Sequence, residues 1–348
     1  MKSCVKALSC AVAGYGLACL NAFGQQTQPV GTAAQSKFIQ AVDEYVPAPG
    51  QFVNTLPEAT AADTPATMAQ KCTEAIANGN GGMITLGAWG GYVTFHFDHP
   101  VVNVEGQRDF AVWGNAFTNN AEPAVVMVSV DANGNGRPDD TWYELRGSEY
   151  ANSKTVHGYR LTYTYSAMQD VAWTDNKGGS GVVARNRYHA QEYFPLWLAS
   201  EGTLTFEGCR LPDNAYYDEA TRQFLLPAYA YGYADNQPNT DVEGCSMDIG
   251  WAVDDAGQPV TLDHVDFIRC YNAMNQVCGN IGETSTEITG AEDLHPDAST
   301  GISGIGLSPS AVTRCYSIDG RQSATLRPGL NIVRMEDGTI KKVFRKNN

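Results

Sequence analysis

Oxygen-bearing side chains alternate along one short stretch, VSVDANGNGRPDDTWYEL, which spans residues 128–145. In calcium-binding loops, positions one, three and five point at the ion, a glycine permits the sharp turn, and a backbone carbonyl supplies a further ligand. Hard oxygen donors in this number suit Ca²⁺ better than zinc or iron. The stretch therefore predicts a structural calcium site, whose expected ligands are Asp131, Asn133, Asn135, the carbonyl of Arg137, Asp139 and Asp140.

The match to a helix-flanked calcium loop is incomplete. The twelfth position, which is normally a bidentate Glu, holds Trp142, so Asp140 or Glu144 would have to complete the site. Because the flanking residues are β-like, we expect a hairpin loop between two strands. The alternative is a polar loop that uses Asx turns and holds no ion.

A second group of residues suits a binding surface. Flat aromatic rings can stack on a sugar or a corrin ring, while neighbouring polar groups fix its orientation. Such residues are interleaved over 173–197, and tyrosines alternate along AYAYGYADN at 228–236. The expected ligand contacts are Trp173, Asp175, Asn176, Tyr188, His189, Trp197, Tyr231 and Tyr233. The alternative is that the tyrosines form one packed or half-exposed strand face.

Three polar residues at the ends of apolar strands, Asn115, Glu122 and Asp248, form a third candidate group. Strand ends gather at the ends of a sandwich, so these side chains could converge on a second ion or on a sugar hydroxyl. The alternative is that they cap strand ends and satisfy backbone donors, as buried polar groups must.

The sequence offers little support for catalysis. It contains neither a G-x-S-x-G nor an H-E-x-x-H motif, and its Cys and His residues lack the local settings of thiol enzymes. We therefore expect a binding protein rather than an enzyme. The alternatives are a glycan-active hydrolase with two carboxyls at a suitable separation, and a purely structural surface component.

Rigid β-strands are the elements expected to position these groups. Short runs rich in Val, Ile, Thr and aromatic residues lie between positions 83 and 272, separated by Gly, Pro, Asn and Asp. This pattern predicts an all-β sandwich. Short helices are expected at residues 36–46 and 61–77, the second of which has apolar residues spaced by four.

Composition divides the chain into five parts. They are a leader over 1–24, an N-terminal extension with short helices over 25–79, a β-sandwich domain over 80–295, a linker over 296–310, and a small β module over 311–348. The leader has the layout of a secretory signal, with lysines before an apolar stretch and small residues near its end. A lipoprotein signal at Cys19 is the alternative. We therefore expect an exported protein.

The cysteines fit an exported chain. Cleavage of the leader removes three of the nine, and the other six could form disulfides in an oxidising compartment. Their wide, irregular spacing lacks a C-x-x-C pair, which argues against a zinc site.

The charge balance restricts the partners. A net charge of −15 excludes nucleic acid, because phosphate binding needs a basic surface. Residues 311–348 nevertheless carry eight Lys and Arg against three Asp and Glu, so an acidic body precedes a basic tail.

Several long motifs carry a family resemblance. LGAWGGYVTFHFDHPVVNVEGQRDFAVWGNAF, AEPAVVMVSVDANGNGRPDDTWYELRGSEY and SMDIGWAVDDAGQPVTLDHVDFIRCY resemble a family of exported cell-surface proteins of Bacteroidota, over about residues 80–294. Members often appear beside outer-membrane uptake systems, including those for cobalamin. The resemblance implies a jelly-roll sandwich of galactose-binding-like type. It does not imply a demonstrated ligand. We expect a small-molecule or glycan ligand, with cobalamin as the first guess only because of the neighbouring uptake systems, and an outer-membrane transporter complex as a partner.

The C-terminal tail carries a second resemblance. CYSIDGRQ, LRPGLNIVRMEDGTIKKVFRK and their spacing are similar to the sorting signals of type IX secretion. This similarity implies that the secretion machinery recognises the C-terminal module and that the protein reaches the cell surface or the medium.

Overall fold

A computed structural model describes most of the chain after residue 34. The described residues are 35–298, 312–317, 320–323, 327, 329–335 and 340–345. The predicted leader and most of the predicted linker lie outside them. The described residues contain one α-helix, α1 (Pro65–Ile76), short 3₁₀ turns and twenty-four strands, which confirms the predicted all-β, sandwich-like fold. Among these residues, no helix has the length and apolar character that crossing a membrane requires.

Twenty of the strands belong to residues 35–298, which we call the body. In chain order they are β1 (Ala41–Val46), β2 (Ile84–Thr85), β3 (Tyr92–His96), β4 (Val101–Val102), β5 (Phe110–Trp113), β6 (Ala124–Ser129), β7 (Trp142–Leu145), β8 (Val156–Thr164), β9 (Val171–Asp175), β10 (Ser180–Val183), β11 (Thr203–Arg210), β12 (Tyr216–Asp218), β13 (Gln223–Leu225), β14 (Tyr233–Ala234), β15 (Ser246–Met247), β16 (Ala252–Val253), β17 (His264–Val265), β18 (Phe267–Asn272), β19 (Glu287–Ile288) and β20 (Gly290–Asp293). The 3₁₀ turns are Ala77–Gly79, Leu196–Glu201, Ile249–Trp251 and Gly279–Ile281.

Three sheets form most of the body. The largest has seven strands in the order β1-β3-β18-β6-β7-β16, with β14 paired to β6. A four-stranded sheet has the order β10-β9-β8-β11, and a three-stranded sheet has the order β15-β5-β20. Their pairings are antiparallel, so each strand presents alternate residues to opposite faces.

The seven-stranded sheet is buried on both faces. On β6, Val126 belongs to a core that also contains Phe110 of the three-stranded sheet and Met68 of α1. The preceding residue, Val125, belongs to a cluster on the opposite face with Cys209 of the four-stranded sheet. The large sheet is therefore the middle of three layers.

Helix α1 lies within the predicted range 61–77 and begins four residues later than predicted, at Pro65. Thr64 is the N-cap: its hydroxyl accepts from the N–H of Thr67 at 3.2 Å, and the Thr67 hydroxyl accepts from the N–H of Thr64 at 2.8 Å. Pro65 occupies the first turn, where a helix needs no N–H. The buried residues, which include Cys72 and Ile76, recur at spacings of four and face the core.

Residues 36–46, for which a helix is expected, contain strand β1, so that prediction is wrong. β1 pairs with β3 and places Val46 opposite Tyr92. Tyr45 is buried, and its hydroxyl donates to the Thr85 carbonyl at 2.7 Å. Pairing and burial outweigh a weak local helix preference.

The body begins and ends at the same place. Phe38 forms a β-bridge with Glu292, and the carbonyl of Lys37 accepts a hydrogen bond from the N–H of Asp293 at 2.8 Å. The Lys37 ammonium also lies 2.8 Å from the Glu292 carboxylate. The segment that enters the body is thus paired with the segment that leaves it.

The predicted small C-terminal β module is confirmed. Its strands are β21 (Val312–Ser317), β22 (Gln322–Ser323), β23 (Gly329–Met335) and β24 (Ile340–Arg345), in the order β22-β21-β23-β24.

The six cysteines that follow the predicted leader are all described, and each is a buried free thiol. None of the disulfides that an exported chain permits is formed among them.

Candidate functional site

A cleft of about 390 Å³ opens where β5 ends and where β6 and β19 begin. We call it the acidic cleft. Its wall includes Phe52, Asn115, Glu122, Tyr188, His189 and Glu287. Aromatic rings, an amide and carboxyl groups therefore face one space.

Two loops that are distant in sequence are joined beside the cleft. The side-chain amide of Asn54 donates to the carbonyls of Glu192 and Phe194 at 2.8 and 3.0 Å. The side-chain amide of Asn186 donates to the Gln51 side-chain oxygen at 2.9 Å. These bonds hold the loop at residues 186–194 against the turn at residues 51–54, which follows β1.

The aromatic residues of the cleft are held by a short turn. The side-chain oxygen of Asn186 accepts from the N–H groups of Tyr188 and His189 at 2.9 and 3.0 Å. The His189 ring packs edge-on against Phe52, with centroids 4.8 Å apart. Tyr188 is 67% exposed, with the Arg187 guanidinium 4.7 Å from its ring centroid. One tyrosine ring is therefore free to meet a ligand.

Three carboxyl groups meet at the cleft. Glu122, Asp235 and Glu287 each place an oxygen within 4.8 Å of the other two. Asp235 accepts three backbone hydrogen bonds, from Asn115 at 2.7 Å, Ala116 at 2.8 Å and Glu287 at 2.9 Å. Asp235 therefore links the end of β5 to β19.

The other two acids differ in access. One Glu287 oxygen accepts from the Asn115 amide at 3.1 Å, and the other accepts from the Thr85 and Ser285 hydroxyls at 3.0 and 3.1 Å. Glu287 is 3% exposed, whereas Glu122 is half-buried and accepts from the Ser285 N–H at 3.1 Å. Of the three acids, Glu122 is the one that a ligand reaches.

Burial changes the protonation of this cluster. It raises the pKa of Asp235 to about 7 and, together with the Asp235 charge, that of Glu287 to about 8. Burial and then the Glu287 charge also raise the pKa of Glu122. Charges this close repel in a dry site, so the acids titrate together and hold protons near neutrality. A protonated carboxyl both donates and accepts hydrogen bonds.

An adjoining cavity of about 540 Å³ shares Asn186 and Tyr188 with the acidic cleft and is also lined by Glu283. The N–H of Gln51 donates to one Glu283 oxygen at 2.6 Å, while the other oxygen is buried without a partner among the described residues. Burial raises the pKa of Glu283 to about 7. Buried polar atoms usually have partners, so this oxygen is an exception among the described residues.

The predicted calcium loop lies between β6 and β7, and its side chains fold inward. The Asp131 carboxylate accepts from the N–H groups of Asn135 and Gly136 at 3.0 and 2.9 Å. The side-chain amides of Asn133 and Asn135 both donate to Asp139 at 3.0 Å. These amides lower the pKa of Asp139, which favours its ionised form.

The same loop contains the Asx turns that the metal-free alternative requires. The side-chain oxygens of Asn133 and Asn135 accept from N–H groups two residues later, at 3.0 and 2.8 Å. The Arg137 carbonyl accepts from the N–H of Asp139 at 2.9 Å, and one Asp140 oxygen lies 3.4 Å from the N–H of Asn133. Calcium binding therefore stays a prediction.

Glu144 does not complete the calcium loop, so that alternative is wrong. It lies on β7 and faces another cavity, with His157 and Cys209. A different carboxylate supports the loop: Asp266 accepts from the N–H of Asp131 at 2.8 Å. Asp266 follows β17, and the spacing within the loop could not reveal it.

The eight expected binding residues do not form one surface. Tyr188 and His189 line the acidic cleft. Tyr231 is 42% exposed and lies against Trp251, with ring centroids 5.1 Å apart.

The other five support the fold. Tyr233 and Trp197 are buried, and Trp173 packs beside a buried cluster of the four-stranded sheet. Asp175 and Asn176 shape the turn after β9 through hydrogen bonds with nearby backbone groups. For Tyr233 the alternative prediction, that the alternating tyrosines form a packed or half-exposed strand face, is correct.

The predicted convergence of polar strand ends is correct for Asn115 and Glu122 and wrong for Asp248. Asp248 caps a 3₁₀ turn through the N–H of Gly250 at 2.8 Å and lies 3.6 Å from the Arg108 guanidinium. It lines a separate cavity.

Sequence reasoning missed Asp235 and Glu287, which take the place of Asp248. For Glu287 a signal is present in the sequence. It stands between Thr286 and Ile288 of a β-like run, and both neighbours are buried. A carboxylate in such a run must find partners.

No family model matches this chain, and no curated protein matches it. Function is therefore argued from the site.

Proposed function

We propose that this chain is a ligand-binding protein of the cell exterior that holds a glycan in the acidic cleft, on a sandwich stabilised by calcium in the β6–β7 loop. The observation that carries the proposal is that the exposed Tyr188 ring and Glu122, the one acid of the cluster that a ligand reaches, line one cleft. An aromatic ring stacks on the apolar face of a sugar, while polar groups bond its hydroxyls.

The protonation of the acids favours a neutral, hydroxyl-rich ligand. Burial raises the pKa of Glu122, the acid that a ligand reaches, and a carboxyl that holds its proton donates as well as accepts, as sugar hydroxyls do. Exposed apolar side chains border the site, since Ile281 lines the cleft and Val277 the adjoining cavity. Exposed apolar groups beside a polar groove are typical of binding sites.

The size of the cleft favours a sugar unit over a whole corrinoid. Its volume of about 390 Å³ is near the lower end of the roughly 300–1,000 Å³ typical of ligand pockets. A corrin ring with its side groups would contact the rim alone. Cobalamin, which the family resemblance suggests, is therefore the second ligand to test.

Binding is tested with a matched pair of tyrosine variants. The full chain is screened on a glycan array and against cobalamin, and the best ligand is measured by calorimetry. Tyr188→Ala should weaken binding about tenfold, because a lost stacking contact costs about 1.5 kcal/mol. Tyr216→Ala on β12, whose tyrosine is 52% exposed, should leave affinity unchanged. An affinity that is unchanged in Tyr188→Ala would contradict the acidic cleft as the binding site.

Calcium is tested separately. Its proposed ligands are the oxygens of Asp131, Asn133, Asn135 and Asp139, and it would offset their crowded negative charge. Calcium at about one hundred times its Kd should stabilise the chelator-treated protein by about 2.7 kcal/mol. Asp131→Ala should remove this effect, and Asp218→Ala, in an exposed turn, should not. No heat and no change in Tm on adding calcium would refute the site.

A glycan-active hydrolase is the second candidate, favoured by carboxyl oxygens within 4.8 Å of one another. Retaining glycosidases hold their carboxyls about 5–5.5 Å apart. Against it, both Glu287 oxygens are occupied and buried, which leaves Glu122 alone of the pair within reach. Reducing ends released from polysaccharides, and lost in Glu122→Gln, would favour the enzyme. If the protein shows no binding and no turnover, a structural surface component is favoured.

The proposed location rests on the leader pattern and the family resemblance. The C-terminal module would be recognised by the secretion machinery, and an outer-membrane transporter complex would receive the ligand. A chain lacking residues 311–348 should then fail to reach the outer surface, although it keeps the predicted leader. Protease digestion of intact cells measures this, and equal surface exposure of both chains would contradict the sorting role.

A further inference from the structure

A second cavity, of about 440 Å³, shares no lining residue with the acidic cleft. Three side chains of different chemistry meet on its wall: Glu144 of β7, His157 of β8 and Cys209 of β11. One potential ligand atom of each lies within 4.8 Å of those of the other two. Carboxylate, imidazole and thiol groups together are the donor set of protein zinc sites.

A β-bulge on β8 lies opposite the thiol. The pairing of β11 with β8 is regular as far as Gly208, which faces Tyr159, and resumes with Arg210 opposite Val156, so His157 and Gly158 of β8 face Cys209 alone. Bulges re-aim a side chain and are frequent beside functional sites. The N–H of Cys209 donates to the Tyr271 hydroxyl at 2.8 Å, and its carbonyl accepts from the Trp89 indole at 3.2 Å. The main chain at Cys209 is therefore held on both sides.

A backbone carbonyl engages one nitrogen of the imidazole. His157 Nε2 lies 3.0 Å from the carbonyl oxygen of Tyr150, and the two rings pack with centroids 4.6 Å apart. A carbonyl can only accept, so Nε2 carries the hydrogen and Nδ1 of the neutral ring keeps its lone pair. A backbone carbonyl that fixes one nitrogen in this way is the usual support of a metal-bound His.

The carboxyl lacks a partner. Glu144 is half-buried, and within the described ranges its side chain makes neither a hydrogen bond nor an ion pair. Its burial raises the pKa to about 7. A buried carboxylate without a partner is costly, and a bound cation would remove that cost.

We propose that Glu144, His157 and Cys209 form a transition-metal site for Zn²⁺, with a fourth coordination position open to the cavity. Ligand atoms about 2.0–2.3 Å from a shared ion lie less than about 4.6 Å apart, so small side-chain rotations suffice. The thiol and imidazole select Zn²⁺ over Ca²⁺ or Mg²⁺. Zinc binds the thiolate, so the Cys209 proton is released to solvent on binding.

The test uses Co²⁺ as a spectroscopic substitute for Zn²⁺ in the chelator-treated full chain. One equivalent of Co²⁺ should produce a thiolate-to-cobalt charge-transfer band, which one equivalent of Zn²⁺ removes and excess Ca²⁺ does not. Cys209→Ser should abolish the band. Cys245→Ser is the matched control, because Cys245 is also buried and free but its thiol faces the Gln237 carbonyl.

His157→Ala keeps the test decisive if Cys209→Ser fails to fold. His157 is exposed, so its removal should preserve the fold and weaken zinc binding at least about tenfold. The proposal is overturned if the wild type gives no band, if the band survives Cys209→Ser, or if His157→Ala binds zinc as tightly as the wild type.

Discussion

Replacing Glu287 by Gln should change how the free energy of unfolding depends on pH. Burial and the Asp235 charge raise the pKa of Glu287 to about 8 in the folded protein, against about 4.3 in an unfolded chain. The folded state therefore binds this proton more tightly. The resulting stability is fully present below about pH 4 and is lost as pH rises towards 8.

The size of the effect follows from linkage. One proton changes the free energy of unfolding by at most about 1.4 kcal/mol per pH unit, so the roughly three pH units between about pH 5 and pH 8 give on the order of 4 kcal/mol. Glu287→Gln is neutral throughout and avoids this loss. Its amide oxygen still accepts from Thr85 and Ser285, and the Asn115 amide can rotate to accept from the new amide nitrogen.

Urea unfolding at several pH values between about 5 and 8 measures the difference. The stability of Glu287→Gln should rise relative to the wild type across this range. Glu207→Gln is the control, because the Glu207 side chain is 62% exposed on β11 and should give a curve parallel to the wild type. A parallel curve for Glu287→Gln as well would refute the claim that burial keeps this acid protonated.

Three further outcomes are expected. Gly87→Ala should cost about 3 kcal/mol or more in urea unfolding, because the new Cβ would clash with the Ala48 carbonyl oxygen. Gly106→Ala should cost about 1 kcal/mol, because this glycine also has a positive φ but lies in open space. Equal costs for the two substitutions would contradict the close approach of Gly87 to the Ala48 carbonyl. Asp235→Ala should cost on the order of 3 kcal/mol or more by leaving three backbone donors unsatisfied. Asp218→Ala, in an exposed turn, should lower Tm much less, and similar losses would show that burial is irrelevant. A thiol reagent should reach the six described cysteines only after unfolding, and rapid labelling of the native protein would contradict their burial.

The sequence predicted those elements whose causes are local. Helix α1 carries its own cap and its own apolar spacing, so both were readable within one segment. Strand β1 was missed because its conformation is decided by β3, about fifty residues away. The turn residues and β-branched runs predicted a sandwich, but the strand order depends on distant pairings such as that of β18 with β3 and β6.

The difference between local and distant causes also explains which sites the sequence predicted. The β6–β7 loop was readable because its polar side chains lie within ten residues and bond one another. The acidic cleft joins Phe52, Asn115, Tyr188 and Glu287, which no spacing rule connects. The absence of C-x-x-C argued against zinc, yet that rule covers neighbouring cysteines and not donors on three separate strands.

The bridge between Phe38 and Glu292 has a mechanical consequence. Because both ends of the body are fastened at one point, a pull applied between them loads this bridge and its flanking bonds before any inner strand. A circular permutant that joins residue 298 to residue 35 through a short linker would keep every pairing of the three layers. New termini could then be opened at an exposed turn without detaching either original end.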